Sequence, residues 1–531
     1  MRLFEKVFMQ NFLKKIVFTL FLTSYYSNAI LPQFSLEPTI TISSPTLILP
    51  VPNHVIANSS LIHLTLNNID LNARVSILNN WPSPSKDKYV RLLRLEIDHN
   101  RPLSGQLNLF WSNAKKGIES NMAPQTNMIH LLTVNHISST AVNSDINNEF
   151  SLVYPSLNWL ARSVLLHPEQ EHTNSSWYIE PQKKYAYYLT NQALLTKQGY
   201  PASKASQWLY DRPQAIYQLY LMSGETGWLV KANELADFYI KNIDEDGMFM
   251  LKKSFDPKLL MPKGVLYRYL LSGDVEAKKT LKRIFERSLD WDERYSLARG
   301  FWTERNQAAA LNVAVSYWEL TNDEVALGRI NDIIDATVTM TFNPSNDWSL
   351  IGCPQHSFKS HEGWGDKTPA CSPWMMALLG DALWRFYQLT GDVRAASLID
   401  AFGDFILNYG IYYGNARVNN IVIPKYIVSI KNPEQEELNQ WTDPQHACDV
   451  AALLGKSAYI KQITKQDNFM VKTLFRALLE QCSGTYTKLK KAQKSKREKN
   501  YWILKPPRRF GWMYSTTSDL PWLKSLLLNA D

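Results

Sequence analysis

IYQLYLMSGE (216–225), VLYRYLLSGD (265–274), AVSYWELTND (314–323) and LWRFYQLTGD (383–392) are four versions of one pattern: an apolar helix end, a Gly or Asn, then an acid. Gly and Asn tolerate the left-handed backbone that closes a helix, and an acid placed directly after can cap the next one. The interval from Gly224 to Gly273 equals that from Gly273 to Asn322, whereas Gly391 and Gly455 follow after longer gaps, as if insertions separated otherwise equivalent units. A second amphipathic stretch follows each turn, as in Leu229 to Ile240 and Ala395 to Leu407, so the unit reads helix, tight turn, helix. Five or six such units fit before the C-terminus. Hairpins of this length and number close into a ring of inner and outer helices; an open solenoid is the alternative.

Upstream the pattern changes. Short alternating runs at 39–42, 61–66, 90–97, 106–111 and 128–134, separated by Asn, Pro, Ser and Gly clusters, predict strands of a sandwich or barrel. The expected fold is therefore multidomain α and β, with a β-sandwich-like domain over 30–180 and an (α/α) helical-hairpin toroid over 181–531. Before it, Arg2, Lys6, Lys14 and Lys15 precede an apolar run from Ile16 to Leu22 and a small-residue site ending at Ala29, which predicts a signal peptide over 1–29. The run is too short to span a bilayer and no later one approaches spanning length, so a periplasmic or secreted product is expected. Cys353, Cys371, Cys448 and Cys482 would meet an oxidising compartment there; three pairings are open, the first two bracket one loop that a disulfide could staple, and free buried thiols are the alternative.

The net charge of +8 is concentrated between Lys488 and Arg509. Such a run (485–510) suits electrostatic contact with an anionic polymer or membrane surface. No helix-turn-helix, finger or RNP pattern accompanies it, so specific nucleic-acid binding is not expected. Gly-rich phosphate loops, nucleotide fingerprints, haem attachment sequences and EF-hand loops are missing from the sequence, so no cofactor is expected, and no histidine pair has zinc spacing.

If the Gly turns share one end of the ring, the starts of the helices leading into them share the other. Those starts carry Tyr210, Asp211 and Arg212; Trp302, Glu304 and Arg305; Trp374; and Trp441 and His446. The long connection before Trp374 adds His361, Glu362, Trp364 and Asp366. Charged, aromatic and histidine side chains thus gather where the rest of each helix is apolar, and loops on a rigid scaffold are where chemistry concentrates. Plainer readings exist for several: Asp211 before Pro213 as a helix cap, Glu304 in a structural ion pair, and the histidines as structural residues.

Hairpin period and turn motifs over 185–530 make the chain resemble the six-hairpin toroid glycosidases and toroid polysaccharide lyases. No catalytic signature transfers residue by residue. The resemblance implies an enzyme acting on a carbohydrate polymer or oligosaccharide. Glycoside hydrolysis needs a protonated carboxyl and a second carboxylate, for which Glu304 and Glu362 are the first candidates, with Asp211 and Asp366 in reserve. Tyr210, Arg212, Trp302, Arg305, His361, Trp364, Trp374, Trp441 and His446 would contact substrate, the indoles offering flat apolar faces to sugar rings. Elimination on a uronic acid polymer is the alternative, with a Tyr or His base and an Arg to neutralise charge. A noncatalytic carbohydrate-binding or envelope scaffold is the third reading.

Overall fold

The computed structural model describes residues 46–83, 88–97, 105–112, 126–134, 151–167, 175–190, 208, 210–251, 256–260, 262–293, 295, 303–344, 350–357, 368–413, 422–429, 431, 433, 443–492, 511 and 514–528. Eight strands open the chain: β1 (Thr46–Pro50), β2 (Leu61–Leu66), β3 (Ile69–Leu71), β4 (Ala73–Asn80), β5 (Val90–Ile97), β6 (Gly105–Ser112), β7 (Thr126–Val134) and β8 (Ser151–Leu152). They form two four-stranded sheets, ordered β4-β5-β1-β8 and β3-β2-β6-β7. Alternation sends Leu47, Leu49, Leu93 and Leu95 of one sheet and Leu64, Leu107 and Leu109 of the other into a single apolar core. Four of the five strand readings thus meet a strand; the run at 39–42 lies outside the described residues.

After a short helix α1 (Leu157–Arg162) and α2 (Ser176–Thr190), the hairpins follow: α3 (Arg212–Ser223) with α4 (Thr226–Lys241), α5 (Pro262–Ser272) with α6 (Val275–Ser288), α7 (Glu304–Thr321) with α8 (Glu324–Phe342), α9 (Pro373–Thr390) with α10 (Val393–Tyr409), and α11 (Asp443–Ile463) with α12 (Phe469–Ala492). The last described helix is α13 (Leu520–Leu528). Gly224, Gly273, Asn322 and Gly391 all sit in the left-handed region, as the sequence requires. Asp274, Asp323 and Asp392 then accept hydrogen bonds from the first amides of the following helices, at 2.8 Å in each case.

Helices α3, α5, α7, α9, α11 and α13 pack side by side in that order as an inner layer. Their burial is nearly complete around the circumference, as along residues 212–221 of α3, whereas α6 keeps a polar outer face. The ring is closed by the two ends of this domain. Gln214 Nε2 of α3 donates to the Ser515 carbonyl at 2.7 Å, and Gln218 Nε2 to Ser518 Oγ at 3.1 Å. In the outer layer α2 packs against both α12 and α3, and Tyr178 on α2 hydrogen-bonds Thr517 at 2.7 Å. A sixth pair is therefore assembled from an N-terminal and a C-terminal helix.

Gly455, read from the sequence as a turn, lies inside α11. A Cβ there would come within 2.9 Å of Leu523 and 3.1 Å of Phe475, so the glycine permits close approach of α12 and α13. The turn falls later, where Lys465 has φ 58°. Disulfides join Cys353 to Cys371 and Cys448 to Cys482, the second tying α11 to α12.

The β module sits on the turn end of the ring. Tyr269 Oη donates to the Leu78 carbonyl at 2.9 Å, and Gly273 faces Leu78. Beneath this contact Glu319 of α7 is fully buried and bonded by Arg91 of β5 and by Arg385 of α9. Burial alone would raise the Glu319 carboxyl, but the Arg385 and Arg91 guanidiniums hold it below its ordinary value. Arg385 also donates to the carbonyl of Val164, a β-branched residue at φ 53° in the segment leading out of the β module.

Replacing Glu319 with Gln leaves two guanidiniums facing a neutral amide, and stability is expected to fall by about 3–5 kcal/mol. Equilibrium urea unfolding measures this; a loss below about 1 kcal/mol would show that the two arginines do not depend on that carboxylate.

Candidate functional site

With the β module on the turn end, the opposite end is the mouth, where the long connections arrive. Strands β9 (Ala370–Cys371) and β12 (Val428–Ser429) pair there, as do β10 (Ile411–Tyr412) and β11 (Ile423–Pro424). The hydroxyl of Ser372, just before α9, donates to the Tyr426 carbonyl at 2.7 Å and makes no side-chain cap bond.

Two cavities lie between the inner helices. The first is lined by Tyr210, Asp211, Gln214, Lys258, Lys263, Arg305, Asn312, Asp381, Ser515 and Thr516 among others. The second shares Gln214, Lys263 and Asp381 and is also lined by Gln218, Tyr267, Trp384, Arg385 and Asp519. Segment 164–167 lines the second cavity. Tyr267 Oη donates to the Leu165 carbonyl at 3.2 Å, which pins the segment there.

Asp211 is both the cap its sequence suggested and a member of the first cavity's wall. It accepts from Gln214 N at 3.1 Å through Oδ1 and from Gly264 N at 2.9 Å through Oδ2. A carboxyl oxygen has two lone-pair positions, so each amide leaves one for a proton. Burial raises the carboxyl to about 6 against the opposing pull of these amides and of Lys263. Tyr210 and Asp211 are consecutive non-glycine residues at φ 64° and 54°, a combination that clusters at functional sites because the surrounding fold must hold it.

Lys263 Nζ bonds Asp381 at 2.5 Å, Lys456 Nζ bonds the other Asp381 oxygen at 3.0 Å, and Lys456 reaches Asp519 at 3.2 Å. Burial works to raise Asp381, but the Lys263 and Lys456 ammoniums outweigh it and hold the carboxyl at about 2. Sequence reasoning missed all four of these residues. The available signal was a lone charge inside an apolar helix, as in LLGDALW around Asp381 and LLGKSAY around Lys456.

The sequence candidates divide in space. Tyr210, Arg305, Trp374 and His446 come together at the mouth. Arg305 Nη1 donates to Tyr210 Oη at 3.4 Å and its guanidinium lies 5.6 Å from the Trp374 ring centre. His446 stacks on the same indole at 4.8 Å, with Asp449 Oδ2 2.8 Å from its Nδ1. Trp374 is only 1% exposed, which makes it part of the wall beneath Arg305 and not an open platform for a sugar ring. Arg212 is buried on the first turn of α3, where desolvation lowers it to about 9, and does not line the cavity. Glu304 is fully buried and turned to the long connection: Oε1 accepts from Ser372 N at 2.8 Å and Oε2 lies 2.6 Å from His356 Nδ1. It anchors the segment that the Cys353–Cys371 disulfide also closes. Trp302, His361, Glu362, Trp364, Asp366 and Trp441 lie outside the described residues. Among the described residues, no group of His, Cys, Asp and Glu could hold a metal ion.

No protein-family model matches the sequence, and no curated protein does. Among solved structures, the chain is similar to an unsaturated glucuronyl hydrolase specific for heparin, at 13% identity and TM-score 0.43, over 67% of this chain and 100% of that one. It is similar to a polysaccharide lyase at 8% identity and TM-score 0.42, over 65% and 98%. A glycosyl hydrolase of family 88 from Bacteroides vulgatus gives 10% identity and TM-score 0.42, over 65% and 99%. These fall in the two classes that the sequence resemblance named. At this level the likeness assigns no activity, and the ring itself rests on the helix contacts described above.

Because the Asp211 carboxyl is raised from 3.8 to about 6, folding favours its protonated form. Its contribution is fully present below pH about 4 and is lost as pH rises through about 6, a difference of about 3 kcal/mol. Unfolding free energy measured from pH 4 to 8 is expected to carry this decline in the native chain and to lack it in Asp211→Asn; parallel profiles would contradict the assignment.

Proposed function

We propose that this chain is a carbohydrate-active enzyme of the glycoside hydrolase type, with Asp211 as the acid that protonates the leaving oxygen. The observation that carries this reading is the placement of Asp211: a carboxyl raised to about 6, on the wall of a cavity that also presents Tyr210 and Arg305. An acid held near neutrality is what protonation of a glycosidic oxygen requires. Asp381 is a poor second carboxylate, since two ammoniums hold it ionised and occupy its oxygens. Glu362 and Asp366 are proposed for that role from the sequence alone, and Glu304 is reassigned as an anchor of the loop. Both disulfides accord with an exported, periplasmic or secreted protein.

Elimination on a uronic acid polymer is the second reading. It is favoured by the contact of Arg305 with Tyr210, which puts a cation beside a phenol, as charge neutralisation paired with a base would require.

Purified protein is incubated with neutral and uronate-containing polysaccharides, and reducing ends and ultraviolet absorbance of new double bonds are followed. The hydrolase reading predicts reducing ends without new absorbance and a loss of at least about 100-fold in Asp211→Asn. New absorbance that survives Asp211→Asn and vanishes in Tyr210→Phe would move the assignment to the lyase. Binding without turnover across the panel would favour a scaffold.

A further inference from the structure

Two buried polar atoms belonging to side chains of the second cavity are left unsatisfied by the fold. Gln218 of α3 is 7% exposed and Trp384 of α9 is 4% exposed, and both line this cavity. Gln218 Nε2 donates to Ser518 Oγ at 3.1 Å, and its Oε1 has no hydrogen-bond partner among the described residues. Trp384 Nε1 is a buried donor in the same condition. Other indoles of the chain use this group: Trp81 donates to the Val51 carbonyl at 2.9 Å, Trp111 to the Val55 carbonyl at 3.1 Å and Trp228 to Glu225 at 3.0 Å. A buried donor or acceptor left unpaired has lost its hydration without replacement, so two of them on one cavity require a cause. The Trp384 ring is also held in place. Tyr459 and Trp522 pack against it with ring centres 5.8 and 6.2 Å away, and Lys456 Nζ lies 5.9 Å from its centre.

The aspartate, lysine and arginine side chains around this cavity are already paired within the protein. Lys263 contacts Asp381 at 2.5 Å, Asp519 contacts Lys456 at 3.2 Å, and Arg385 is bonded to Glu319. An anionic ligand would meet the Asp381 and Asp519 carboxylates with their lysines engaged, and a cationic one would meet Lys263 and Arg385 with their carboxylates engaged. One neutral donor and one neutral acceptor remain. A hydroxyl accepts from the first and donates to the second, and neighbouring hydroxyls of a sugar ring supply both roles.

We propose that the second cavity is a subsite for an uncharged, hydroxyl-bearing sugar unit, recognised by the Trp384 N–H and the Gln218 Oε1. It adjoins the cavity of Asp211, since Gln214, Lys263 and Asp381 line both. A glycan with one unit in each would carry a neutral sugar beside the bond presented to Asp211. Binding follows from the two unpaired atoms; a role in turnover rests on the hydrolase reading.

Calorimetric titration of the full chain with cellobiose, maltose and lactose, and with glucuronate as the charged comparison, tests this. At least one neutral disaccharide is expected to bind, more tightly than glucuronate, and to lose about tenfold in affinity in Trp384→Phe and again in Gln218→Met, the worth of one hydrogen bond between neutral groups in each case. Should Trp384→Phe fail to fold, a benzothiophene analogue at position 384, which keeps the ring and lacks the N–H, replaces it. Affinity for the neutral sugars that is unchanged in both variants, glucuronate binding as tightly as they do, or no neutral sugar bound at millimolar concentration would overturn the proposal, the last outcome leaving the cavity to water. Binding that weakens in both variants while the native chain turns over no glycan supports the subsite and removes only the hydrolase reading. Turnover indifferent to both substitutions does the reverse.

Discussion

The closing contact between residues 515–519 and α3 is the constraint on which the rest of the molecule depends. Each inner helix is apolar around most of its circumference and cannot be stable beside only one neighbour, so the row of hairpins must curve until its last member meets its first. Gln214 and Gln218 satisfy the polar groups of the incoming C-terminal segment at that seam. The same seam delivers Ser515, Thr516 and Asp519 to the cavity walls, so closing the fold and completing the site are one event.

Between the inner helices the lumen carries charges largely removed from water, among them Asp211, Lys263, Asp381 and Asp519. Charges placed there are desolvated, and each must be neutralised by another or by a proton. Asp381 is neutralised by two lysines and stays ionised; Asp211, held by amides, keeps its proton to about pH 6. Two carboxyls in one cavity are driven apart in proton affinity by what the neighbouring helices contribute. At the turn end, Glu319 shows the other outcome, where two arginines from different domains fix one carboxylate and seat the β module on the ring.

Local chemistry was legible in the sequence, and long-range assembly was not. The turns at Gly224, Gly273, Asn322 and Gly391 could be read because left-handed backbone and aspartate capping are decided within a few residues. Gly455 was misread because its neighbourhood looks like a turn, while its purpose is the approach of Leu523, almost 70 residues away, which no local pattern reveals. Pairing of α2 with the C-terminal segment was equally hidden, since it joins the two ends of the domain. Convergence of Tyr210, Asp211, Arg305, Trp374 and His446 at one end followed from the topology alone. Glu304 had the right place and the wrong orientation, because the sequence could not show that Ser372 N and His356 would claim its oxygens.

The central claim is that the working surface is the ring's lumen at Asp211 and not the β module. A crystal structure of Asp211→Asn soaked with the oligosaccharide that binds most tightly would test it most directly. The account predicts a sugar unit inside the ring, within hydrogen-bond distance of residue 211 and of Arg305. A sugar bound only on the β sheets, with the lumen holding nothing but water, would contradict it.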